Sequence, residues 1–207
     1  MSPNPAPAET DVGAPASRDD AGLLARLLAE AFHDDPLTRW ITPDEERRAA
    51  LLPGFFGVFL DMSYAYDAVV TTPSRDAVLT YLPPGAWEEL ERDGARYEEA
   101  FAAVLGPDAE RLAAISALQA ERHPADRPHY YLAFGAVRPE ARGARLLTAL
   151  VEQITARADA EGYGLYTEAS SPGGEASCLR NGYVPVGPRI ELPDGGPTLR
   201  PLWRDPR

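Results

Sequence analysis

Three observations predict an α/β (α+β) domain. The runs HYYLAFGAV (129 to 137) and GLYTEAS (164 to 170) alternate like strands, and the segment 143 to 161 between them places Leu146, Leu147, Leu150, Val151 and Ile154 on one helical face. Such a βαβ unit makes a parallel pair with a right-handed crossover. Upstream, DAVVTT (67 to 72) and DAVLTYL (76 to 82), joined by PSR, read as a hairpin. The remaining long segments carry helical periodicity, so helices should flank a mixed sheet. A chain of 207 residues suits one well-buried core, expected over 20 to 207.

In order, MSPNPAPAETDVGAPASRD (1 to 19) carries neither a positively charged nor an apolar signal-peptide region and reads as a Pro/Ala-rich flexible tail. That favours a cytoplasmic location. Leu23, Leu24, Leu27, Leu28, Ala31 and Phe32 make the apolar face of a first helix, ended by FHDDP. TPDEE starts another, with Thr42 as cap, Pro43 at the first position and Glu45 completing a capping box. It continues through Phe55, Phe56 and Phe59, with a break or kink expected at Pro53. After the hairpin and PPG, Trp87, Leu90, Tyr97, Phe101, Val104 and Leu105 place a helix, and Leu112, Ile115 and Leu118 another that ends before HPADRP. Beyond the βαβ unit, a short helix near 174 to 181, a strand at 183 to 192 and the segment 197 to 204 should close the sheet. There are no internal repeats.

Composition narrows the function. No apolar run approaches the ~20 residues of a membrane span. The single cysteine, Cys178, excludes an internal disulfide and a multi-cysteine zinc site, and three histidines make a metal centre an unpromising expectation. A formal net charge of -12 opposes a nucleic-acid partner over most of the surface.

Chemistry is expected where the βαβ strand meets its helix, in VRPEARGARLLTAL (137 to 150). A helix N-terminus presents unpaired N–H groups and about half a positive charge, which suits a pyrophosphate, and Gly143 and Ala144 permit close backbone approach. The same residues also make an ordinary helix entry turn.

From PHYYLAFGAVRPEARG through GLYTEASSPGG to NGYVPVG and IELPDGG, with AFHDDPLTRWITP and YLPPG earlier, the chain resembles the GCN5-related N-acetyltransferases (GNATs). Within them it is similar to small actinobacterial members such as puromycin N-acetyltransferases. Val137, Pro139 and Arg142 stand at the leading positions of the family motif V-x-P-x-x-Q/R-x-x-G-x-G/A. The resemblance implies a GNAT fold, a mixed central sheet splayed between strands 4 and 5 and flanked by helices. Acetyl-CoA or another acyl-CoA would lie in the cleft as donor, with no metal. Its pantetheine would pair with the backbone near Gly135, Ala136 and Val137, and Arg142, Gly143, Ala144, Arg145 and Thr148 would face its phosphates.

Two departures from the family pattern fall at functional places. Arg145 and Leu147 replace the small residues that close on the pyrophosphate; Arg145 either contacts phosphate with its fork of donors or points to solvent. In SSPGGEASCLRNGY, Gly174 stands at a donor-holding Asn position and Cys178 at the position of the Tyr that protonates the departing thiolate. Cys178 is thus either a thiol acid, an acyl-accepting nucleophile or an inert buried residue. Glu168 matches a glutamate of the puromycin-acetylating relatives and could act as base directly or through water, or serve as a satisfied structural carboxylate. His129 and Tyr131 alternate to one face of their strand and line the cleft or pack the core. Asp34 or Asp35 could meet a cationic acceptor, or simply end a helix.

The expectation is an N-acyltransferase that moves an acetyl or other small acyl group from a thioester to a small-molecule amine by direct attack. One alternative keeps the fold and takes the acyl group from an acyl carrier protein or an aminoacyl-tRNA, within a specialised biosynthetic pathway. Another is a non-catalytic relative that binds a ligand or partner. Leu199, Leu202 and Trp203 could give a homodimer edge to an otherwise monomeric chain.

Overall fold

The computed structural model describes residues 13–207. Its central sheet runs in the order β1 (Ala14–Pro15), β2 (Val69–Thr71), β3 (Ala77–Leu82), β4 (His129–Val137), β5 (Gly164–Ala169), β8 (Thr198–Arg204) and β6 (Val184–Pro185), with β7 (Ile190–Glu191) paired to β8. The β4–β5 pair is parallel and the other pairs are antiparallel. The mixed sheet expected from the βαβ unit and the hairpin is the one formed.

Alternation along the strands divides the core between two faces. Val69 and Val78 turn toward α1 (Ala21–Ala31), α3 (Glu45–Tyr64), α5 (Gly94–Leu105) and α6 (Ala109–Arg122), meeting Leu24, Leu28, Phe55, Phe56, Phe101 and Ile115. Val70, Leu79, Tyr130 and Leu165 turn the other way, onto Leu150, Ile154 and Ala158 of α7 (Leu146–Glu161). Helices on both faces explain why β3 is buried at every position.

Several boundaries differ from the sequence reading. Residues 1–12 of the expected tail lie outside the described residues, whereas Ala14 and Pro15 pair with β2 as a strand instead of continuing a tail. A helix absent from that reading, α2 (Pro36–Ile41), follows FHDDP: Asp35 caps it by accepting from Leu37 N at 2.9 Å, and Pro36 fits its first position. The cap of α3 is therefore Asp44, which accepts from Arg47 N at 2.7 Å, and the Thr42 hydroxyl instead donates to Asp108 at 3.0 Å. Pro53 neither breaks nor ends α3, whose flanking Leu52, Phe55 and Phe56 are all buried against the core. The helix expected through Trp87 and Leu105 is two, α4 (Ala86–Arg92) and α5, separated at Asp93. α8 (Pro172–Arg180) starts slightly earlier than expected, and the strand expected over 183 to 192 is interrupted between β6 and β7.

The last strand corrects the dimer-edge expectation. β8 lies between β5 and β6, so its backbone is paired on both sides, and Leu199, Leu202 and Trp203 are buried in this chain's own core. No helix among the described residues is long and apolar enough to cross a membrane.

Candidate active site

β4 and β5 pair only through His129–Gly164, Tyr130–Leu165 and Tyr131–Tyr166, and then diverge. Thr167 Oγ1 donates to the Leu132 carbonyl at 2.8 Å, just beyond the last pair. The rest of β4, through Gly135, Ala136 and Val137, keeps β3 on one side and no ladder to β5 on the other. An unpaired strand edge offers backbone donors and acceptors to an extended ligand.

Glu168 sits on β5 at this divergence, half-buried. Three donors converge on its carboxylate. Tyr166 Oη donates to Oε1 at 2.7 Å, Tyr131 Oη donates to Oε2 at 3.1 Å, and Gln119 Nε2 donates to Oε2 from α6. Burial raises the Glu168 pKa, and the hydrogen bonds from Tyr166, Gln119 and Tyr131 oppose that rise. Both phenols are held above their ordinary range, first by burial and then by the adjacent carboxylate, so they remain donors at neutral pH. Gln119 and Tyr166 were not singled out in the sequence. Gln119 had a readable signal, because it stands four residues after buried Ile115 and seven after buried Leu112, a polar group on an apolar stripe.

His129 and Tyr131 lie on the same face as Glu168 and Tyr166, within a cluster of rings that also includes Trp87, His123 and Trp203. Burial pushes the imidazole pKa of His123 down to about 3 and lowers that of His129, so both are neutral near pH 7. Asp35 and Asp34 part company. Asp35 caps α2 through Oδ1 and accepts from Ser170 Oγ at 2.8 Å through Oδ2, tying the α1–α2 turn to the end of β5. Asp34 is 80% exposed and faces His33 at 3.4 Å. Buried Arg48 donates to the carbonyls of His33, Thr42 and Pro43 at 2.8, 3.0 and 3.0 Å, which fixes both turns around α2.

On the other face, Arg142, Gly143 and Ala144 form an exposed loop before α7, and Thr148 is half-buried in its first turn. Gly143 (φ 87°) and Arg145 (φ 58°) both adopt the left-handed conformation. Arg145 thus holds a backbone shape more natural to glycine. Its guanidinium points outward to Glu152 at 3.4 Å, with the side chain 76% exposed. Leu147 turns inward over Gly135, where a Cβ would lie 2.8 Å from Leu147 Cδ1. Cys178 is half-buried on α8, packed beside the cluster that contains Leu150 and Leu202, and burial raises its thiol pKa. Gly174 N donates to Ser171 Oγ at 3.2 Å, which caps α8. Among the described residues, no three His, Cys, Asp or Glu side chains gather as a metal site would require.

No protein-family model and no curated protein sequence matches the chain. Solved structures do match it. The histone acetyltransferase HPA2 and related acetyltransferase of Corynebacterium glutamicum superposes with a TM-score of 0.69 at 24% identity, over 94% of this chain and 96% of that one. The polyamine N-acetyltransferase of Drosophila melanogaster, which forms N-acetylagmatine, gives 0.61 at 17% identity, over 93% and 98%. A chain of the NatC complex bound to Gag peptide and CoA gives 0.54 at 11% identity, over 94% and 98%. With the strand divergence and the βαβ crossover in place, these likenesses establish that the chain has the fold of the GCN5-related N-acetyltransferases.

Proposed function

We propose that the chain is an N-acyltransferase that moves an acetyl or other small acyl group from a thioester to the amine of a small molecule by direct attack. The observation that carries this reading is Glu168, a carboxylate with a raised pKa held by three donors where β4 and β5 part. A group in that state suits a base working near neutral pH. The names of the structural neighbours, which include a polyamine N-acetyltransferase, support a small amine as acceptor. The similarity of the sequence around Glu168 to puromycin-acetylating GNATs points the same way.

Acyl-CoA is the default donor, and the residues present fit it. The free edge of β4 at Gly135, Ala136 and Val137 would take the pantetheine amides, and the exposed turn of Arg142, Gly143 and Ala144, with Thr148 behind it, would meet the phosphates through the Gly143 amide, the Arg142 and Ala144 amides already donating to the Pro139 and Ala141 carbonyls at 3.2 and 3.3 Å. The donor supplies an activated carbonyl carbon. Glu168 accepts one proton from the acceptor's ammonium, directly or through water. The freed amine lone pair forms the new C–N bond, the C–S bond breaks, and the second N–H proton leaves with the sulfur as a thiol. Burial raises the Cys178 pKa, which disfavours a nucleophilic thiolate and leaves direct attack by the amine as the route. Asp35 acts as a positioning residue, since both its oxygens are engaged.

Arg145 and Leu147 favour one second reading. A phosphopantetheine arm on an acyl carrier protein needs the β4 edge but no pyrophosphate loop, and would tolerate both side chains. The deciding experiment screens acetyl-CoA, longer acyl-CoAs, acyl carrier protein thioesters and aminoacyl-tRNA against a panel of amines, with mass detection of acylated amine. Acyl-CoA turnover is expected. Turnover only from the carrier or tRNA transfers the role to that donor, and failure with every donor by a folded protein refutes catalysis in favour of a binding role.

A further inference from the structure

His123, at the end of α6, fills a slot of rings without making a polar contact of its own. It stacks on Trp87 with centroids 3.8 Å apart and planes within 6°. Tyr131 and Tyr166 stand edge-on to it at 5.6 and 5.2 Å, and His129 closes one end at 4.8 Å. Both nitrogens of His123 are buried without a hydrogen-bond partner among the described residues. Leaving such groups unpaired costs about 1–3 kcal/mol each, so a site evolved only for packing would be better filled by a carbocycle.

The slot has two chemically distinct ends. Alternation puts His129 and Tyr131 on one face of β4, and Tyr166 and Glu168 on the same face of β5; the Tyr131–Tyr166 pair then leaves His129 at one end and Glu168 at the other. His129 Nδ1 lies 2.9 Å from the Arg127 carbonyl. A carbonyl only accepts, so Nδ1 carries the hydrogen and Nε2 is a lone-pair acceptor, buried and without a donor among the described residues. At the far end, Tyr131 and Tyr166 pass their hydroxyls to Glu168. His123 follows the last helical residue of α6, and residues 125 to 128 after it are exposed, so its ring can leave without unfolding a buried element.

We propose that this slot recognises an aromatic acceptor amine. A planar ring displaces His123 and stacks on Trp87 between Tyr131 and Tyr166, a hydrogen-bond donor on its edge meets His129 Nε2, and an alkylamine arm at the opposite edge reaches Glu168. The fate of that amine rests on the acyltransferase reading; its binding does not.

The test measures binding by calorimetry without any acyl donor, using tyramine, 2-phenylethylamine and 2-cyclohexylethylamine. Tyramine should bind more tightly than 2-phenylethylamine, and at least ten-fold more tightly than the saturated-ring amine. His123→Ala should tighten tyramine several-fold by removing the ring that must be displaced. His129→Leu should erase the advantage of tyramine over 2-phenylethylamine while leaving the latter bound. If His123→Ala fails to fold, His123→Phe serves: a carbocycle in the slot should raise the Tm and block the aromatic amines. Equal affinity for the three amines, or wild-type tyramine binding by His123→Phe, would overturn the proposal. Ring-selective binding without turnover from any donor would refute the acyltransferase reading alone, and turnover of aliphatic amines with no ring preference would refute the slot alone.

Discussion

Glu168 and Arg145 lie on opposite faces of the diverging strands and are held in opposite ways. Glu168 is enclosed by rings and fixed by donors from α6, β4 and β5. Arg145 stands on an exposed loop in a strained backbone conformation, with one solvent-exposed ion pair. Position and protonation are over-determined on the first side and loosely set on the second. For the proposed reaction, such a site fixes the group that manages the acceptor's proton more firmly than the loop that faces the donor. That difference is what the expected outcomes below are chosen to break or sharpen.

The largest effect belongs to Glu168. Glu168→Gln should lower kcat/KM by roughly 10²–10⁴-fold, the usual contribution of a general base, with circular dichroism unchanged. Because the carboxylate must be ionised to take a proton, activity should fall as pH drops through the raised pKa, and that acid limb should disappear in Glu168→Gln. Tyr166→Phe removes a hydrogen bond that lowers this pKa, so its acid limb should move to higher pH. A flat profile in the wild type, or a limb that survives Glu168→Gln, would reduce Glu168 to a structural carboxylate.

The same comparison shows what local sequence can carry. The βαβ unit and the hairpin were legible because each depends on periodicity within about thirty residues. The identity of Glu168's partners was not, since Gln119 lies 49 positions away and meets it only through tertiary packing. α2 escaped because its six residues are too few to show a helical period, although Asp35 and Pro36 are a cap and a first position. The placement of β8 between β5 and β6 follows from which faces pack, and no property of PTLRPLWR announces it. Leu147, read only as a large residue at a small-residue position, turns inward and fits because Gly135 on the facing strand has no side chain.

A second effect, smaller per unit of pH, tests the ring cluster as a neutral, desolvated environment. His123 titrates near 6.5 when unfolded and is pushed to about 3 in the fold by burial, with a lesser contribution from His129. The folded state therefore binds fewer protons than the unfolded state across that interval. The stabilisation is fully present above 6.5 and is lost as pH falls toward 3, by up to about 1.4 kcal/mol per pH unit. Urea unfolding of wild type and His123→Phe at stepped pH should show the two diverging below 6.5. Parallel curves would mean that His123 is solvated enough to ionise in the fold.

On the other face the expected effects come from shape. A Cβ at position 135 would lie 2.8 Å from Leu147 Cδ1, the end of a half-buried side chain that can turn aside, so Gly135→Ala should cost about 1 kcal/mol, the low end of overpacking. Adding Leu147→Ala should cancel that clash, leaving only the cost of the lost leucine packing. Simple additivity in the double-mutant cycle would show that the two positions do not touch.

The smallest effect decides most about the donor. Arg145 at φ 58° pays a left-handed penalty of about 1 kcal/mol that glycine escapes, partly offset by the greater freedom of a glycine chain when unfolded. The ion pair to Glu152 adds little in return, since its side chains are 76% and 61% exposed. Arg145→Gly should therefore gain about 0.5–1 kcal/mol in urea unfolding. Its second readout is the KM for acyl-CoA. With the guanidinium turned to solvent, that KM should stay level or fall when a small residue stands at position 145. A ten-fold rise would instead make Arg145 a direct phosphate contact, and the donor side would prove as specifically built as the acceptor side.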